Sequence, residues 1–582
     1  MSSRKQYPPV EISFRLLTRT AALLFLFAIA CAPATAPSAS QGQAASTGTT
    51  QPPRTLVAAI RVEPTTLFST LGLGGGATLS YTQRLFNAYL VNFDARGDPQ
   101  PYLVAQPPQL NTDSWRVLPD GRMETTYRLK PNLVWHDETP LTADDFVFGW
   151  QVYISPARGA GSSPPFSRID DVLASDPSTV TIRWKDLYAG AGKLAKEFPP
   201  LPRHVLGDAF QTSNADAFAA HPYWSTQFIA AGPFRLDRWE PGAFIEGSAF
   251  SHYVLGPPRI ARVRLIFRSD PGTALASLLS GEAELSADDS LRFEEGLTLQ
   301  REWAPRNAGS IVLRADLWRA VFVQFRPELL ASPALSDVRV RKALALTIDK
   351  DGINQALFEG QGILADVAYI PKTMGYYPTI EPVAVKYPLD ASRSAALLTE
   401  AGYTRGADGV WASPTAGRLL FPLLTGASGP NERELSILGD GWRRAGFDIQ
   451  ENIMPAAQLQ DGQARSVFPG LSTISLPNGE DALATSSTVG ISALENRWTG
   501  RNRGGWSNPE FDRFAAAFST TLDKQQRVQA IAQMVRIYSD EVPGISMYFN
   551  AVPAAHVAAL KGPQTVAPNV DLAWNVHEWE LR

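Results

Sequence analysis

The sequence predicts a globular protein of two to four domains that contains both strands and helices. Its 582 residues exceed what one hydrophobic core organises, since domains usually hold about 100–200 residues. A composition with 44% hydrophobic, 10% aromatic and 19% charged residues is that of an ordinary folded protein. From Thr55 onward, strand-like runs and helix-like periodicities both occur.

The N-terminus has the pattern of a secretory signal peptide. An apolar run at 21–30 (AALLFLFAIA) ends in a small residue directly before Cys31, and the segment ahead of the run is basic through Arg4, Lys5, Arg15 and Arg19. Residues 28–31 (AIAC) resemble the bacterial lipobox, in which the cysteine becomes the lipidated first residue, with Ala28 where Leu is usual. We therefore predict a signal peptide at 1–30 and lipidation of Cys31, which anchors an exported protein to the outer side of the membrane.

Two alternatives to lipidation remain open. A membrane-spanning helix needs about 20 apolar residues, whereas this run is bounded by Arg19 and Pro33. Cleavage without lipidation would leave Cys31 free or remove it. Because no second cysteine exists, the chain forms no internal disulfide. Residues 31–54, which begin with Cys31, form the predicted linker. This segment is rich in Ala, Pro, Ser, Thr and Gly, a composition typical of a flexible tether.

The charge balance argues against a nucleic-acid partner. Removal of residues 1–30 takes away four cations and one anion, so the formal charge moves from −4 to −7. The chain has no run of Lys or Arg that could follow a phosphate backbone.

Local patterns predict the first elements of the fold. A β-rich run begins at Thr55, and Tyr81, Leu85 and Tyr89 recur at helical spacing. Two strands at 115–118 and 124–129 flank Pro-Asp-Gly, a turn tripeptide, and so predict a hairpin.

A capped helix is predicted after this hairpin. Thr142 is a good N-cap, Asp144 and Asp145 fall in the first turn, where the helix dipole favours anions, and Phe146 belongs to the apolar face. The stretch from 134 to 148 (VWHDETPLTADDFVF) also resembles the W-H-D-G-x-P-x-T-A-x-D-V-x-F signature of the family 5 extracellular solute-binding proteins, the receptors of bacterial ABC importers.

Further elements of the same family resemblance follow in order along the chain. They are PPLPRHVL at 199–206, GPFRL at 232–236 with WEPG at 239–242, RLIFRSDPGTALASLLSGE at 264–282, SDVRVRKAL at 336–344, AALLTEAGY at 395–403, GWRRAG at 441–446 and WSNPEFD at 506–512. Most of these motifs are expected to hold the fold rather than to contact a ligand.

The resemblance implies an α/β, two-lobed clamp of the periplasmic-binding-protein type (type II, cluster C-like) with an extra inserted domain. On this basis we expect lobe I at 55–98, 229–320 and 541–582, the inserted domain at 99–228 and lobe II at 321–540.

The residues themselves offer no support for catalysis or a metal. Trp135 and His136 are interpreted as a packed pair at a helix entry, and the six histidines show no ligand spacing. There is no Gly-x-Ser-x-Gly elbow and no phosphate-binding glycine loop. We therefore expect that the protein is not an enzyme and that it has no catalytic residue, no cofactor and no metal site.

The predicted ligand site lies between the lobes. In peptide-binding relatives an acidic residue in a lobe II loop meets the ligand ammonium within an Asp-x-x-Asp-Pro pattern, but residues 472–482 read STISLPNGEDA. Glu480 and Asp481 are therefore the candidates for that role. The following loop adds Asn496, Arg497, Trp498 and Arg501, where an arginine could pair with a carboxylate.

On the lobe I side, the loops after the first strand supply the candidates, since the carboxyl ends of strands in α/β folds usually face the cleft. They are Glu63, Thr66, Leu71 and Gly72. Residue 326 is Arg where relatives commonly carry Asn, a departure that argues against copying a known peptide pocket.

The resemblance implies a monomeric, lipid-anchored receptor outside the cytoplasm that captures a small solute and delivers it to an ABC permease in the membrane. An oligopeptide is the leading candidate for the solute. Family members also take up sugars, nickel complexes and haem. A sensory lipoprotein of the same fold is a second hypothesis, and a secreted hydrolase on an unfamiliar scaffold is a third.

Overall fold

The helices and strands were located in a computed structural model that describes residues 54–68, 80–155, 165–459, 461–496, 498–568 and 570–582. The predicted signal peptide, Cys31 and almost all of the tether lie outside the described residues. In the described part, the helices are α1 Ser80–Phe86, α2 Ala143–Ile154, α3 Arg203–Thr212, α4 Ala215–Ala219, α5 Pro271–Ser280, α6 Phe293–Trp303, α7 Val338–Ala345, α8 Lys350–Phe358, α9 Tyr377–Ile380, α10 Ala391–Glu400, α11 Gly429–Ala445, α12 Glu480–Ala484, α13 Pro509–Thr520 and α14 Lys524–Glu541.

The strands range from two-residue pairings to a strand of 15 residues. They are β1 Thr55–Ile60, β2 Val91–Phe93, β3 Pro99–Pro101, β4 Trp115–Val117, β5 Met123–Arg128, β6 Ile169–Asp176, β7 Thr179–Trp184, β8 Phe234–Glu240, β9 Phe244–Ala249, β10 Arg262–Phe267, β11 Leu285–Ser286, β12 Gly309–Val323, β13 Ile363–Leu364, β14 Thr404–Arg405, β15 Trp411–Ser413, β16 Gly417–Arg418, β17 Leu420–Gly426, β18 Asp448–Met454, β19 Leu471–Leu476, β20 Gly544–Val557, β21 Leu560–Lys561 and β22 Glu580–Leu581.

One mixed sheet runs through the molecule in the order β18-β17-β19-β12-β20-β11-β1-β10-β9-β8, with β13 paired to β20. In the first half-sheet (β1 and β8–β11), β1 is parallel to β10 and β11. In the second half-sheet (β17–β19), β17 is parallel to both of its neighbours. The two half-sheets are joined by β12 and β20, which are long enough to belong to both.

The strands β12 and β20 pair antiparallel along nearly their whole length, and the pairing is irregular in the middle. Its register shifts between Ala315 and Trp318 and again between Arg319 and Ala320. Such bulges bend and twist a strand pair locally. The connection between the two half-sheets is therefore locally bent and irregular where they meet.

A separate four-stranded sheet, β4-β5-β7-β6, confirms the predicted hairpin. Trp115 pairs with Thr125, and Gly121 adopts φ of 86° at the turn. Its strands share one buried cluster with the first half-sheet, in which Tyr127 and Trp184 are fully buried together with Leu56. The predicted domain boundaries stay a prediction.

The motifs that resemble the solute-binding family make hydrogen bonds that hold the fold together. Trp135 donates from Nε1 to Asp145 Oδ2 at 3.2 Å, and Thr142 N donates to the same carboxylate at 2.9 Å, which fixes the start of α2 as predicted. At the start of α7, Arg341 donates to the carbonyls of Leu335 (2.8 Å) and Glu541 (2.8 Å). These contacts place the motifs inside the scaffold.

Two further buried clusters hold the second half-sheet. On one face, Trp318 is fully buried against Tyr369, with ring centroids 4.0 Å apart. On the other face, Phe421 and Trp442 are fully buried. Burial of each such side chain contributes roughly 1.5–3 kcal/mol. Within the described residues, no helix combines the length and the apolar character needed to cross a bilayer.

Candidate functional site

The candidate site lies where the loops of the two half-sheets meet strand β12. Asn478, in the loop after β19, donates to the carbonyl of Ala315 at 3.3 Å and also to that of Asp316. From the other side, Asp289, in the loop after β11, approaches Arg314 at 3.9 Å. Both loops follow the carboxyl ends of strands, the edge where α/β folds place their ligands. The bulged part of β12 thus forms the floor between them.

The predicted residue Asp481 faces the four-stranded part of the chain. Desolvation by surrounding protein raises the pKa of Asp481 and Glu480 adds to the rise, whereas Lys193 and Arg527 oppose it. The side chain is nonetheless exposed to water. Both facts are expected of a group in an open cleft, where protein lies on two sides and solvent on the third. Lys193, from the segment after β7, is close enough to act on it through space.

Glu480 is held in place by a hydrogen bond from Tyr376. Its Oε2 accepts a hydrogen bond from the hydroxyl of Tyr376, which lies directly before α9. Burial raises the pKa of Tyr376, and the Glu480 carboxylate raises it further. Arg527 is half-buried beside them and stacks on Phe518 with its guanidinium 3.8 Å from the ring centroid. The result is an acidic pair with two nearby cations, Lys193 and Arg527.

Two lobe I candidates, Glu63 and Thr66, accept hydrogen bonds that hold the loop after β1. Both carboxylate oxygens of Glu63 accept hydrogen bonds, from Trp239 Nε1 at 2.8 Å and from Gly242 N at 2.9 Å. The hydroxyl of Thr66 is buried and accepts from Phe68 N at 3.0 Å. Glu63 therefore ties the loop after β1 to the β8–β9 hairpin. Leu71 and Gly72 lie outside the described residues.

The loop after α12 contains the remaining candidates. Asn496 closes it, donating to the carbonyl of Ile491 at 2.7 Å and accepting from Ala493 N at 3.1 Å. Trp498 has a left-handed backbone with φ of 60°, which is uncommon for a bulky residue and marks a constrained position. Arg501 is exposed. Arg497 lies outside the described residues.

Arg326, the departure noted in the sequence, fastens this loop to its neighbours. Its guanidinium donates to the carbonyls of Ser466 (3.2 Å), Ser492 (2.6 Å) and Arg503 (2.8 Å). It also donates to Gln324 Oε1 at 3.1 Å. One side chain thus fixes three loop segments of the second half-sheet relative to one another.

A cluster of arginines lies next to these segments. Burial lowers the pKa of Arg503 to about 10, and the nearby Arg465 and Arg501 lower it further, whereas Tyr369 raises it. Among the described residues, no carboxylate contributes to this shift. The cluster therefore carries an excess of positive charge, which favours an anionic group nearby.

Asp288 supports the first half-sheet side of the floor. It accepts from the backbone N–H of Tyr81 and of Thr82, both at 3.0 Å, and from the Thr82 hydroxyl at 2.6 Å, and so caps α1. Burial raises the pKa of Asp288 to about 7, although the hydrogen bonds from Thr82 lower it. Asp288 and Asp289 both have positive φ, of 46° and 57°. This backbone is strained at the edge of the cleft.

His136 is a packed residue, as predicted. It is 6% exposed. Its Nε2 lies 3.1 Å from the carbonyl oxygen of Gly232, and its Nδ1 accepts a hydrogen bond from Ala230 N at 3.3 Å. Burial lowers its pKa to about 4. Among the described residues, no three His, Cys, Asp or Glu side chains are grouped so that they could hold a metal ion.

Sequence reasoning missed the groups that face Glu480 and Asp481. They are Tyr188, Lys193, Glu197, Tyr376 and Arg527. None of them carries a local signal, because each lies far along the chain from the acidic pair. Only the tertiary arrangement brings them together.

Comparison with known proteins accounts for this architecture. Residues 106–490, more than half of the chain, match the family described as bacterial extracellular solute-binding proteins, family 5 Middle. The dipeptide-binding protein of Escherichia coli K12 is 23% identical over 472 residues, 76% of this chain and 80% of that protein.

Two other relatives differ in coverage. A Brucella suis protein, whose name assigns it to peptide binding for an ABC transporter, is 26% identical over 294 residues, and this match spans about half of each chain, 50% of this one and 51% of the other. The crystal structure of NikZ from Campylobacter jejuni in complex with Ni(L-His) superposes with a TM-score of 0.67 at 20% identity, and covers 91% of this chain and 100% of that one. This likeness shows a two-lobed α/β clamp, as the sequence predicted. The chain belongs to family 5 of the bacterial extracellular solute-binding proteins.

Proposed function

We propose that the protein captures a small solute between its two lobes outside the cytoplasm and delivers it to an ABC permease. An oligopeptide is the leading candidate for this solute. The observation that carries the proposal is the exposed Asp481 carboxylate, on which Lys193 from the segment after β7 and Arg527 on α14 both act. The geometry supports reversible binding, and the described site residues present no nucleophile with an activating base.

A peptide suits the charges that the site offers. Glu480 and Asp481 form an acidic pair suited to an ammonium group. The Arg501 and Arg503 cluster, which has an excess of positive charge, is suited to a carboxylate. A peptide with free ends carries both groups at neutral pH. Nickel chelates remain the main alternative, since NikZ binds one.

Closure of the lobes would trap the ligand, and weak contacts at the cleft edges make it reversible. Lys524 on α14 approaches Asp98 at 3.2 Å, and Arg433 on α11 approaches Glu294 on α6 at 3.0 Å. These exposed pairs are each worth about 0–1 kcal/mol. A ligand that binds the closed form more tightly can therefore shift the equilibrium.

Lipidation of Cys31 would keep the receptor near its permease, with residues 32–54 as the tether. Metabolic labelling with palmitate tests this in a host that expresses the full chain. We expect label in the wild type and none in Cys31→Ser. Equal labelling of both proteins would refute the anchor.

The ligand is tested on the chain from residue 31 onward by thermal shift and calorimetry. Tetrapeptides with free ends should raise the melting temperature, because ligand binding stabilises the folded state by linkage. Capping the amine should weaken binding about tenfold or more in the wild type, and have much less effect in a Glu480→Gln/Asp481→Asn variant.

Two outcomes would contradict the peptide proposal. If no peptide shifts the melting temperature but a nickel–histidine complex or an oligosaccharide does, the ligand class is different. If amine capping has the same effect in wild type and variant, the acidic pair is not the ammonium site. Glu432→Gln, at an exposed position of α11, is the matched control.

A further inference from the structure

A cavity lies beside the strand pair β12–β20 on the side of the second half-sheet, away from the cleft floor. It has a volume of about 380 Å³ and is lined by the start of α8, the segment after β13, the segment before α10, the end of α14 and the start of β20. Gly544–Ser546 of β20 line it, and these pair with residues 320–322 of β12, whereas the cleft floor lies at 314–316. The volume is within the range of small-molecule sites.

Lys350 lines this cavity, and its ammonium group is incompletely bonded. It is the first residue of α8, whose N-cap Asp349 accepts from Gly352 N at 2.8 Å. The ammonium donates to the carbonyl of Ala365 at 3.3 Å, a long hydrogen bond, and it forms no ion pair within the described part of the chain. An ammonium has three donors, so two remain available to a ligand.

The other charged or titratable groups of the lining are mostly occupied. Asp366 is paired with Lys372 at 2.7 Å, and Lys386 is paired with Glu381. The groups that face Lys350 are Asp349, Asp351, Asp366, Lys386, Tyr387 and Tyr538. Asp349 is used as a cap and the Tyr387 hydroxyl donates to Ser539 O at 2.8 Å, while Asp351 is exposed.

Apart from Ser539 and Ser546, the remaining lining is apolar. Ile348, Leu364, Val385, Val542 and Ile545 all contribute to it. Burial lowers the pKa of Lys350 to about 8, while Asp366 and Asp351 favour its charged form. Near neutral pH the amine is therefore mostly charged, in surroundings that hydrate it poorly.

We propose that this cavity is a second ligand site, which binds a small carboxylic acid with an apolar body through Lys350. The carboxylate would accept the free N–H groups of Lys350 and the apolar body would contact the side chains around it. A buried charge is stabilised by a partner that both neutralises it and accepts its hydrogen bonds. This site is separate from the cleft and does not depend on the solute that the cleft binds.

Benzoate is the probe for this proposal, with benzyl alcohol as its uncharged counterpart. On the whole protein we expect saturable benzoate binding by calorimetry, about tenfold or more tighter than that of benzyl alcohol. Lys350→Met should abolish the preference for benzoate. Lys561→Met, at an exposed lysine of β21, should leave it unchanged. Affinity should also fall as the pH rises through about 8, since the neutral amine cannot form the ion pair.

A second measurement uses only the wild-type protein, in case Lys350→Met does not fold. Benzoate should slow acetylation of Lys350 by acetic anhydride, followed by mass spectrometry, without slowing that of Lys561. Absence of saturable binding, equal binding by wild type and Lys350→Met, or unprotected acetylation of Lys350 would each overturn the proposal.

Discussion

The buried ion pair of Arg319 and Glu434 is the feature of the second half-sheet whose removal has the most predictable cost. Glu434 on α11 is fully buried and accepts from Arg319 Nε at 3.0 Å and from the Tyr548 hydroxyl at 2.5 Å. Arg319 on β12 is 7% exposed and also donates to Thr473 Oγ1 at 2.9 Å. The network links α11 with β12, β19 and β20, so it fixes the helix to the sheet next to the bulged connection.

Glu434→Gln keeps the size of the side chain but removes its charge. Arg319 is then left as a buried cation without a counter-ion, which typically costs 3–5 kcal/mol, or about 4 kcal/mol here. Replacing both partners, as Arg319→Met with Glu434→Leu, removes the buried charge altogether and should recover most of that loss. Glu432→Gln lies two residues away on the exposed side of α11, and should cost less than about 1 kcal/mol.

The assay is urea unfolding, followed by circular dichroism and by tryptophan fluorescence so that a separate lobe transition is visible. The reasoning is refuted if Glu434→Gln loses less than about 1 kcal/mol in the lobe II transition, or if the double variant is no more stable than Glu434→Gln alone. The first outcome would mean that water reaches Arg319, and the second that the loss comes from packing rather than from charge.

Three further predictions concern a loop, a helix entry and the cleft floor. Arg326→Lys keeps the charge but cannot reach three carbonyls at once, so it should cost about 3 kcal/mol and speed hydrogen exchange in residues 461–505. Because burial lowers the pKa of His136 to about 4, the unfolded chain binds a proton that the folded chain does not between about pH 6.5 and 4. The unfolding free energy should therefore be greatest above pH 6.5 and fall by up to about 3 kcal/mol toward pH 4 in urea titrations, and His136→Gln should flatten that fall. Asn478→Ala should cost only about 1 kcal/mol but speed hydrogen exchange at residues 314–317, and unchanged exchange there would exclude Asn478 as a support of the floor.

The parts of the fold that the sequence predicted correctly are those with local causes. The hairpin around Gly121 needed only a turn tripeptide between two alternating runs. The start of α2 needed only Thr142 and an acid three residues later, and the structure shows Asp145 bonded to Thr142 N. In each case the atoms that decide the structure lie within a few residues of one another.

The roles of the candidate site residues needed information that no local pattern contains. Glu63 follows the first strand, as a cleft residue should, but its partner Trp239 is 176 positions further along the chain. Arg326 was noticed as a departure, yet the carbonyls that it binds belong to loops 140 to 177 residues away. Lys350 gave no signal at all, because a lysine beside an N-cap is usually solvated.

The contrast between motif and cleft residues explains why the family could be inferred from the sequence while the ligand could not. Trp135 and Arg341 are almost fully buried, and their hydrogen bonds hold the start of α2 and join α7 to Glu541, so their replacement should cost several kcal/mol. Asp481 and Arg501 are exposed, so their replacement should change stability by less than about 0.5 kcal/mol. The motifs therefore identify the fold. The residues that select a ligand can vary without destabilising that fold. Paired measurements on Arg341→Met and Asp481→Asn should accordingly separate, with the first losing stability and the second losing affinity for the ligand.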